Sequence, residues 1–264
     1  MKRCFRSATL ILLIAMPLPA LQAQDAEAPE GYDQALSSFR SGRYEESLQT
    51  IRGVFDNNRS SMHLRLLAAA NYAALGDYDS AVAHMQYAMK DHPNRAEPRA
   101  MLAGIFRRQG RTDQAIRIAQ TGLRQAGDNL DLRLELAAAY YAANRLTEAR
   151  AQLERALALD AQNFHAIYLD GMIFLRQARY DNARFRFMNA LNLEQLPRAD
   201  LVGLYVNMGF ALERLGDAAL EEGQRGQAVS QWREAVRYYQ YALRLDPQNG
   251  QARENLNRVE AREI

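Results

Sequence analysis

The chain has 264 residues, 48% of them hydrophobic and 24% charged, with 33 basic and 31 acidic side chains and a formal charge of +2. That balance is ordinary for a folded soluble protein, and it argues against both a disordered chain and bulk attraction to nucleic acid. A single cysteine, Cys4, leaves no partner for a disulfide and no thiolate metal site.

At the N-terminus, Lys2, Arg3 and Arg6 precede an apolar run from Ala8 to Ile14, and Ala20-Leu-Gln-Ala23 offers small residues for cleavage. This order predicts a secretory signal peptide over 1–23 followed by a short linker over 24–27. The apolar run is shorter than the roughly 20 residues a membrane span needs, and Pro17 and Pro19 interrupt it. A periplasmic or secreted protein with no membrane span in its mature chain is expected. Cys4 leaves with the leader, and 30 basic residues then face 31 acidic ones.

From residue 28 onward the pattern repeats. Gly42, Gly76 and Gly110 are spaced by 34 residues, and the same step continues to Asn144 and Ala178. Copies are set at 28–61, 62–95, 96–129, 130–163 and 164–200. Their eighth residues are Ala35, Ala69, Ala103, Ala137 and Gly171, and their twentieth are Ser47, Ala81, Ala115, Ala149 and Ala183. Small residues make up roughly a fifth to a quarter of average sequence, so their recurrence has a physical cause, the close approach of paired helices. Large residues fill the complementary places, with Tyr72, Phe106, Tyr140 and Phe174 at the eleventh position. In the most regular copy, 62–95, apolar residues at helical spacing run to Leu75, break at Gly76-Asp77, and resume from Tyr78 until Pro93. Each copy is therefore a two-helix hairpin, too short to hold its shape without its neighbours. The first copy has Gln34 and Ser38 at usually apolar places, as suits a terminal unit with a solvated outer face, and the fifth has Asp170 at another.

A sixth copy spans 201–248. Its two halves fit one register only if about 14 residues are inserted near Gly223 and Gly226, which lengthens each helix by about two turns. Leu212, Leu215 and Ala219 are expected to zip against Val229, Trp232 and Val236 in a projecting hairpin. Residues 249–264 read as a charged C-terminal capping helix.

Gly76, Tyr78, Ala81, Ala88 and Pro93 carry a resemblance to the tetratricopeptide repeat family, whose 34-residue unit has this small and large alternation with a Gly-Asp-Tyr-like turn and a closing proline. The resemblance covers nearly all of the mature chain. It implies an all-α, right-handed superhelical solenoid of about six repeats, here with an elongated sixth hairpin and a capping helix, serving as a binding scaffold. The ligand surface it implies is the concave face of the first helices. On this chain that face gives partner-binding candidates Tyr32, Phe39, Arg40, Leu66, Arg107, Arg108, Tyr141, Tyr168, Met172, Arg176, Phe210 and Arg214. Some members bind a C-terminal carboxylate through lysine and asparagine at fixed places, but the sixth positions here, from Asp33 to Asn207, do not reproduce that clamp.

Arginine clamps carboxylates and stacks on rings, so one reading of this surface is a groove for an extended or helical peptide with acidic groups. In the other, the arginines pair with acids of neighbouring repeats and the aromatics pack between copies. An acidic glycan or peptidoglycan fragment is the alternative ligand, and stacking through exposed repeat ends is a third role. No His-Glu-x-x-His, phosphate-cradling loop or Gly-x-Ser-x-Gly occurs, so no enzymatic activity, cofactor or metal is expected. The four histidines, His63, His84, His92 and His165, read as ordinary surface or groove residues. Trp232 reads as hairpin core more than as a partner anchor. The resulting reading is an exported scaffold that binds a protein or peptide partner, in assembly of a bacterial envelope complex for a pilus, secretion or export.

Overall fold

A computed structural model describes residue 29 and residues 31–194 and 196–262 of the chain. The expected signal peptide and linker lie outside these residues. Among the described residues there are thirteen α-helices and no strand, so the all-α fold class read from the periodicity holds. The helices come as hairpins: α1 (Tyr32–Arg40) with α2 (Tyr44–Phe55), α3 (Met62–Ala74) with α4 (Tyr78–Asp91), and α5 (Glu97–Arg108) with α6 (Thr112–Ala126). They continue as α7 (Leu130–Ala142), α8 (Leu146–Leu159), α9 (Phe164–Arg176) and α10 (Tyr180–Leu191), then α11 (Arg198–Glu221), α12 (Arg225–Leu245) and α13 (Gly250–Glu260). Two compact units divide within α8, one up to Gln152 and the other from Leu153.

Local chemistry sets the helix ends. Ser61, Asp77, Asn129, Asn163 and Asn249 each accept a hydrogen bond from the backbone N–H three residues on, satisfying a donor that the first helical turn leaves free. Each hairpin turn needs one residue in the left-handed region. Gly42, Gly76, Gly110 and Gly223 supply it with φ of 74°, 82°, 74° and 77°. Asn144 and Ala178 hold the same place with φ of 59° and 56°, so the 34-residue step continues through them, although the conformation that asparagine tolerates is strained for alanine.

In the earlier unit, Ala35, Ala69, Ala81, Ala103 and Ala115 are all fully buried, as close helix pairing requires. Ser47, the one hydroxyl among the small residues at the twentieth place, donates to the carbonyl of Ala35 at 2.7 Å and accepts from Asn71 Nδ2 at 2.9 Å. This buried polar wedge ties α1, α2 and α3 together. Gln34 is exposed as expected, whereas Ser38 is buried and donates to Glu46 Oε1 at 3.0 Å. A short polar side chain can be buried there because the neighbouring helix supplies its acceptor.

In the later unit, buried Asp170 accepts from Arg186 at 2.7 Å, which explains a carboxylate at a usually apolar place. Helices α11 and α12, of 24 and 21 residues, are the lengthened hairpin. Trp232 is 5% exposed, and its Nε1 donates to the Glu213 carbonyl at 3.3 Å and to Asp217 Oδ1 at 3.2 Å. It belongs to the hairpin core.

Candidate functional site

In the earlier unit, α5 ends in two adjacent arginines with different surroundings. Arg107 Nε lies 3.2 Å from Glu135 Oε2, and both side chains are under a tenth exposed. This ion pair joins α5 to α7, and losing either partner would strand a buried charge. Arg107 is therefore held by the fold. Arg108 Nε is buried without a hydrogen-bond acceptor. Burial foremost, then the like charge of Arg107, pushes its pKa below the ordinary arginine value, while Glu135 and Tyr78 pull the other way. Beside this cluster, burial and then Glu135 and Glu97 raise the Asp131 carboxyl to about 6. Glu97 is itself forked by Arg95 at 3.1 and 2.6 Å.

The other candidates of this unit divide between floor and surface. Leu66 is fully buried and Tyr141 is 5% exposed, so neither offers much area to a partner. Tyr32 is also buried, with its ring edge on His63 at 5.7 Å, and burial pushes its hydroxyl up to about 12. Phe39 is half-buried against Tyr44 at 5.6 Å, and Arg40 is exposed.

In the later unit, Tyr168 accepts a hydrogen bond from Asn207 Nδ2 at 2.5 Å and stacks on Phe164 with centroids 5.5 Å apart. Met172 is buried, and Arg176 and Phe210 are half-buried. Arg214 pairs with Asp217 at 2.8 Å and reaches the Tyr180 hydroxyl at 3.4 Å. Glu213, 2% exposed, is buried where the long hairpin meets α13. Its carboxylate accepts from Arg258 Nε and Nη2 and from Arg262 Nη2, each at 2.8 Å, and from the Tyr239 hydroxyl at 2.9 Å. Arg262 also pairs with Asp217 and lies 5.0 Å over the Trp232 ring. The capping helix α13 is thereby fastened to the long hairpin by two arginines on one buried acid.

The pairing of arginines with acids of neighbouring elements thus accounts for Arg107, and Arg214 pairs within its own helix. Among the described residues, Arg65 Nε and Arg108 Nε are buried with no acceptor. Arg65 is otherwise held by Asp91 at 3.4 Å and lies over the Phe55 and Tyr87 rings, which leaves Arg108 as the candidate cation. Sequence reasoning overlooked a second arginine series. Arg111, Arg145 and Arg179, just after each turn, lie 4.4, 4.5 and 4.8 Å over the rings of Phe106, Tyr140 and Phe174. The signal was present as an arginine at the sixteenth place with an aromatic at the eleventh in the third, fourth and fifth copies, whereas the second pairs Tyr72 with Asp77 and the first Ser38 with Arg43. The interaction shields large rings at the hairpin ends.

Each histidine has local company: His84 lies between Phe55 and Tyr72, and His92 Nε2 is 2.8 Å from the Ser60 carbonyl. His165 packs edge-on to Phe164. Among the described residues, no group of three or more histidine, cysteine, aspartate or glutamate side chains is placed to hold a metal ion. No described helix is long and apolar enough to cross a membrane.

Two family models, both described as tetratricopeptide repeat, match residues 72–129 and 106–169 and residues 32–96, together just over half of the chain. No curated protein matches it. Among solved structures, Pseudomonas aeruginosa pilF has 14% identity and a TM-score of 0.61, over 88% of this chain and 95% of that one. A tetratricopeptide repeat protein from Parabacteroides merdae has 12% identity and a TM-score of 0.65, over 87% and 83%. YrrB, described as a TPR protein with an unusual peptide-binding site, has 16% identity and a TM-score of 0.50, over 81% and 98%. At these identities the likeness is one of fold.

Proposed function

Because the chain belongs to the tetratricopeptide repeat family, whose fold serves in general as a protein-interaction scaffold, we propose that it is an exported, non-catalytic scaffold that binds an acidic peptide segment on its first-helix face. The observation that carries this reading is the contrast between Arg107 and Arg108. The first is neutralised by Glu135, whereas the second keeps a buried Nε with no acceptor beside it. The surrounding protein thus leaves the Arg108 charge uncompensated, and a carboxylate from an incoming peptide could pair with the accessible part of this half-buried guanidinium side chain through a charge-assisted bond. The peptide-binding site named for YrrB is compatible with this use of the fold.

Export rests on Lys2, Arg3, Arg6 and the Ala8–Ile14 run. An envelope assembly for a pilus, secretion or export is the setting it suggests. A glycan ligand is less favoured, because sugar stacking needs open ring faces and Tyr32, Tyr141 and Tyr168 are each at most 7% exposed.

The test is binding of extended acidic peptides, with neutral and glycan ligands in parallel, to the wild-type chain and to Arg108→Ala. Affinity should fall about tenfold or more in the variant, the loss of a charged hydrogen bond, with little change in melting temperature. Equal binding by Arg108→Ala, or retention of glycan alone, would sink the reading.

A further inference from the structure

The outer face of the later unit holds a second surface. On α10, Phe185 is 61% and Met188 41% exposed, and on α12 Tyr241 is 38% exposed. Between them Tyr205, Tyr238 and Tyr241 form a ring cluster with centroids 5.6 to 6.0 Å apart. Helix α11, which carries Tyr205, packs against both α10 and α12, so the two helices flank one patch. Along the exposed side of α12 run Arg233, Arg237 and Arg244. None has an acidic partner among the described residues, and Arg244 instead lies 4.8 Å over the Tyr241 ring. Glu234 is the acid among them. Further acids stand at its margins: Asp181 of α10, paired with Arg184 at 3.7 Å, Asp246 at the end of α12, and Glu221 and Glu222 at the hairpin tip.

We propose that this α10 and α12 face docks on an anionic lipid surface. Three unpaired arginines match phosphate headgroups in charge and geometry. Phe185 and Met188 supply the apolar side chains that enter the headgroup boundary, and tyrosine, with a polar tip on an apolar ring, suits that depth. The tyrosines cover one another's faces, which leaves less ring area for stacking nucleic-acid bases. Exposed phenylalanine and methionine would gain little from a purely acidic polypeptide. The scaffold would then lie on a bilayer by one side of its later unit, independently of the peptide face of the earlier one.

The test uses the full chain with Cys4→Ser and a single cysteine, either Gln240→Cys on the exposed side of α12 or Glu254→Cys on α13, labelled with an environment-sensitive fluorophore. Vesicles containing phosphatidylglycerol should shift the emission at 240 to the blue and leave 254 unshifted, and vesicles of phosphatidylcholine alone should do neither. Combining Arg233→Ser, Arg237→Ser and Arg244→Ser should raise the lipid concentration for half-saturation on the order of a hundredfold, at about fivefold per basic residue. Added salt should weaken the response. No shift at 240, an equal shift on neutral vesicles, or the same shift with soluble polyglutamate or single-stranded DNA would overturn the proposal. Attachment through the Ala8–Ile14 run alone would leave the probe at 240 unshifted and would also count against it.

Discussion

The ring of Phe187 occupies the space where a Cβ on residue 171 would stand: such an atom would lie 2.5 Å from Phe187 Cε1. Phe187 is fully buried, so the ring has nowhere to go, and Gly171→Ala should cost about 1–3 kcal/mol. Adding Phe187→Leu should recover part of that loss. The two changes should couple by about 0.5–3 kcal/mol in a double-mutant cycle of urea denaturation. Additive effects would show that the glycine is not there for the ring.

The same relationship joins Gly209 to Tyr239 and Gly216 to Trp232, at 2.6 and 2.5 Å. It explains what was legible in the sequence and what was not. The period, the hairpins and the 14-residue insertion follow from counting small residues, because steric complementarity at helix crossings writes itself into one position per copy. The finer rule lies in the joint choice at two positions. Glycine stands at the eighth place where the twenty-fourth is aromatic, as in Gly171 with Phe187, while alanine stands where it is aliphatic, as in Ala69 with Met85. Gly216 with Trp232 repeats that pairing seven residues later in α11 and seven earlier in α12, one step nearer the tip, so the insertion extends the hairpin in register. The candidate site was less legible. Register alone puts Arg107, Arg108 and Leu66 on one face, but whether each is paired, unsatisfied or buried depends on Glu135 and on neighbouring helices that no local pattern reveals.

Ala178 holds a left-handed turn with φ of 56°, a conformation that costs an L-residue about 1–2 kcal/mol. Ala178→Gly should remove that strain, partly offset by the greater freedom of glycine in the unfolded chain. A net gain of about 0.5–1 kcal/mol is expected, seen as a higher urea midpoint at unchanged slope. Gly76→Ala, at φ of 82°, should lose stability instead. If Ala178→Gly destabilised the chain, the turn strain would not be a real term in its stability.

Glu213 holds α13 through Arg258 and Arg262. Replacing both arginines by alanine leaves a buried carboxylate with the Tyr239 hydroxyl as its one remaining side-chain donor here. A broken buried pair of this kind costs about 3–5 kcal/mol. Hydrogen exchange should show Gly250–Glu260 losing protection first, with the earlier unit unaffected. Adding Glu213→Met to the double variant should restore stability in part, since removing all the charges is less costly than stranding one. Unchanged protection across Gly250–Glu260 in the double variant would mean that apolar packing of Ala252 and Val259 alone holds the helix.

Acid and base act on this fold with opposite signs. Burial raises the folded-state pKa of Asp131 from 3.8 to about 6, so the folded chain keeps a proton that the unfolded chain releases. The associated stability is complete below pH 3.8 and is lost as pH rises through 6, roughly 3 kcal/mol at about 1.4 kcal/mol per unit. For His165, burial lowers the folded-state pKa from 6.5 to about 4, so the unfolded chain takes up a proton first. That stability is complete above pH 6.5 and is lost as pH falls through 4. The two slopes oppose each other across the shared window of pH 4 to 6. Melting temperatures measured at intervals from pH 3.5 to 7.5 separate them. Asp131→Asn should stabilise the chain at pH 7 and make its acid sensitivity steeper, whereas His165→Gln should flatten the loss on acidification. An Asp131→Asn curve parallel to that of wild type would show that Asp131 titrates as an ordinary exposed carboxylate, and the electrostatic description of the face around Arg108 would fall with it.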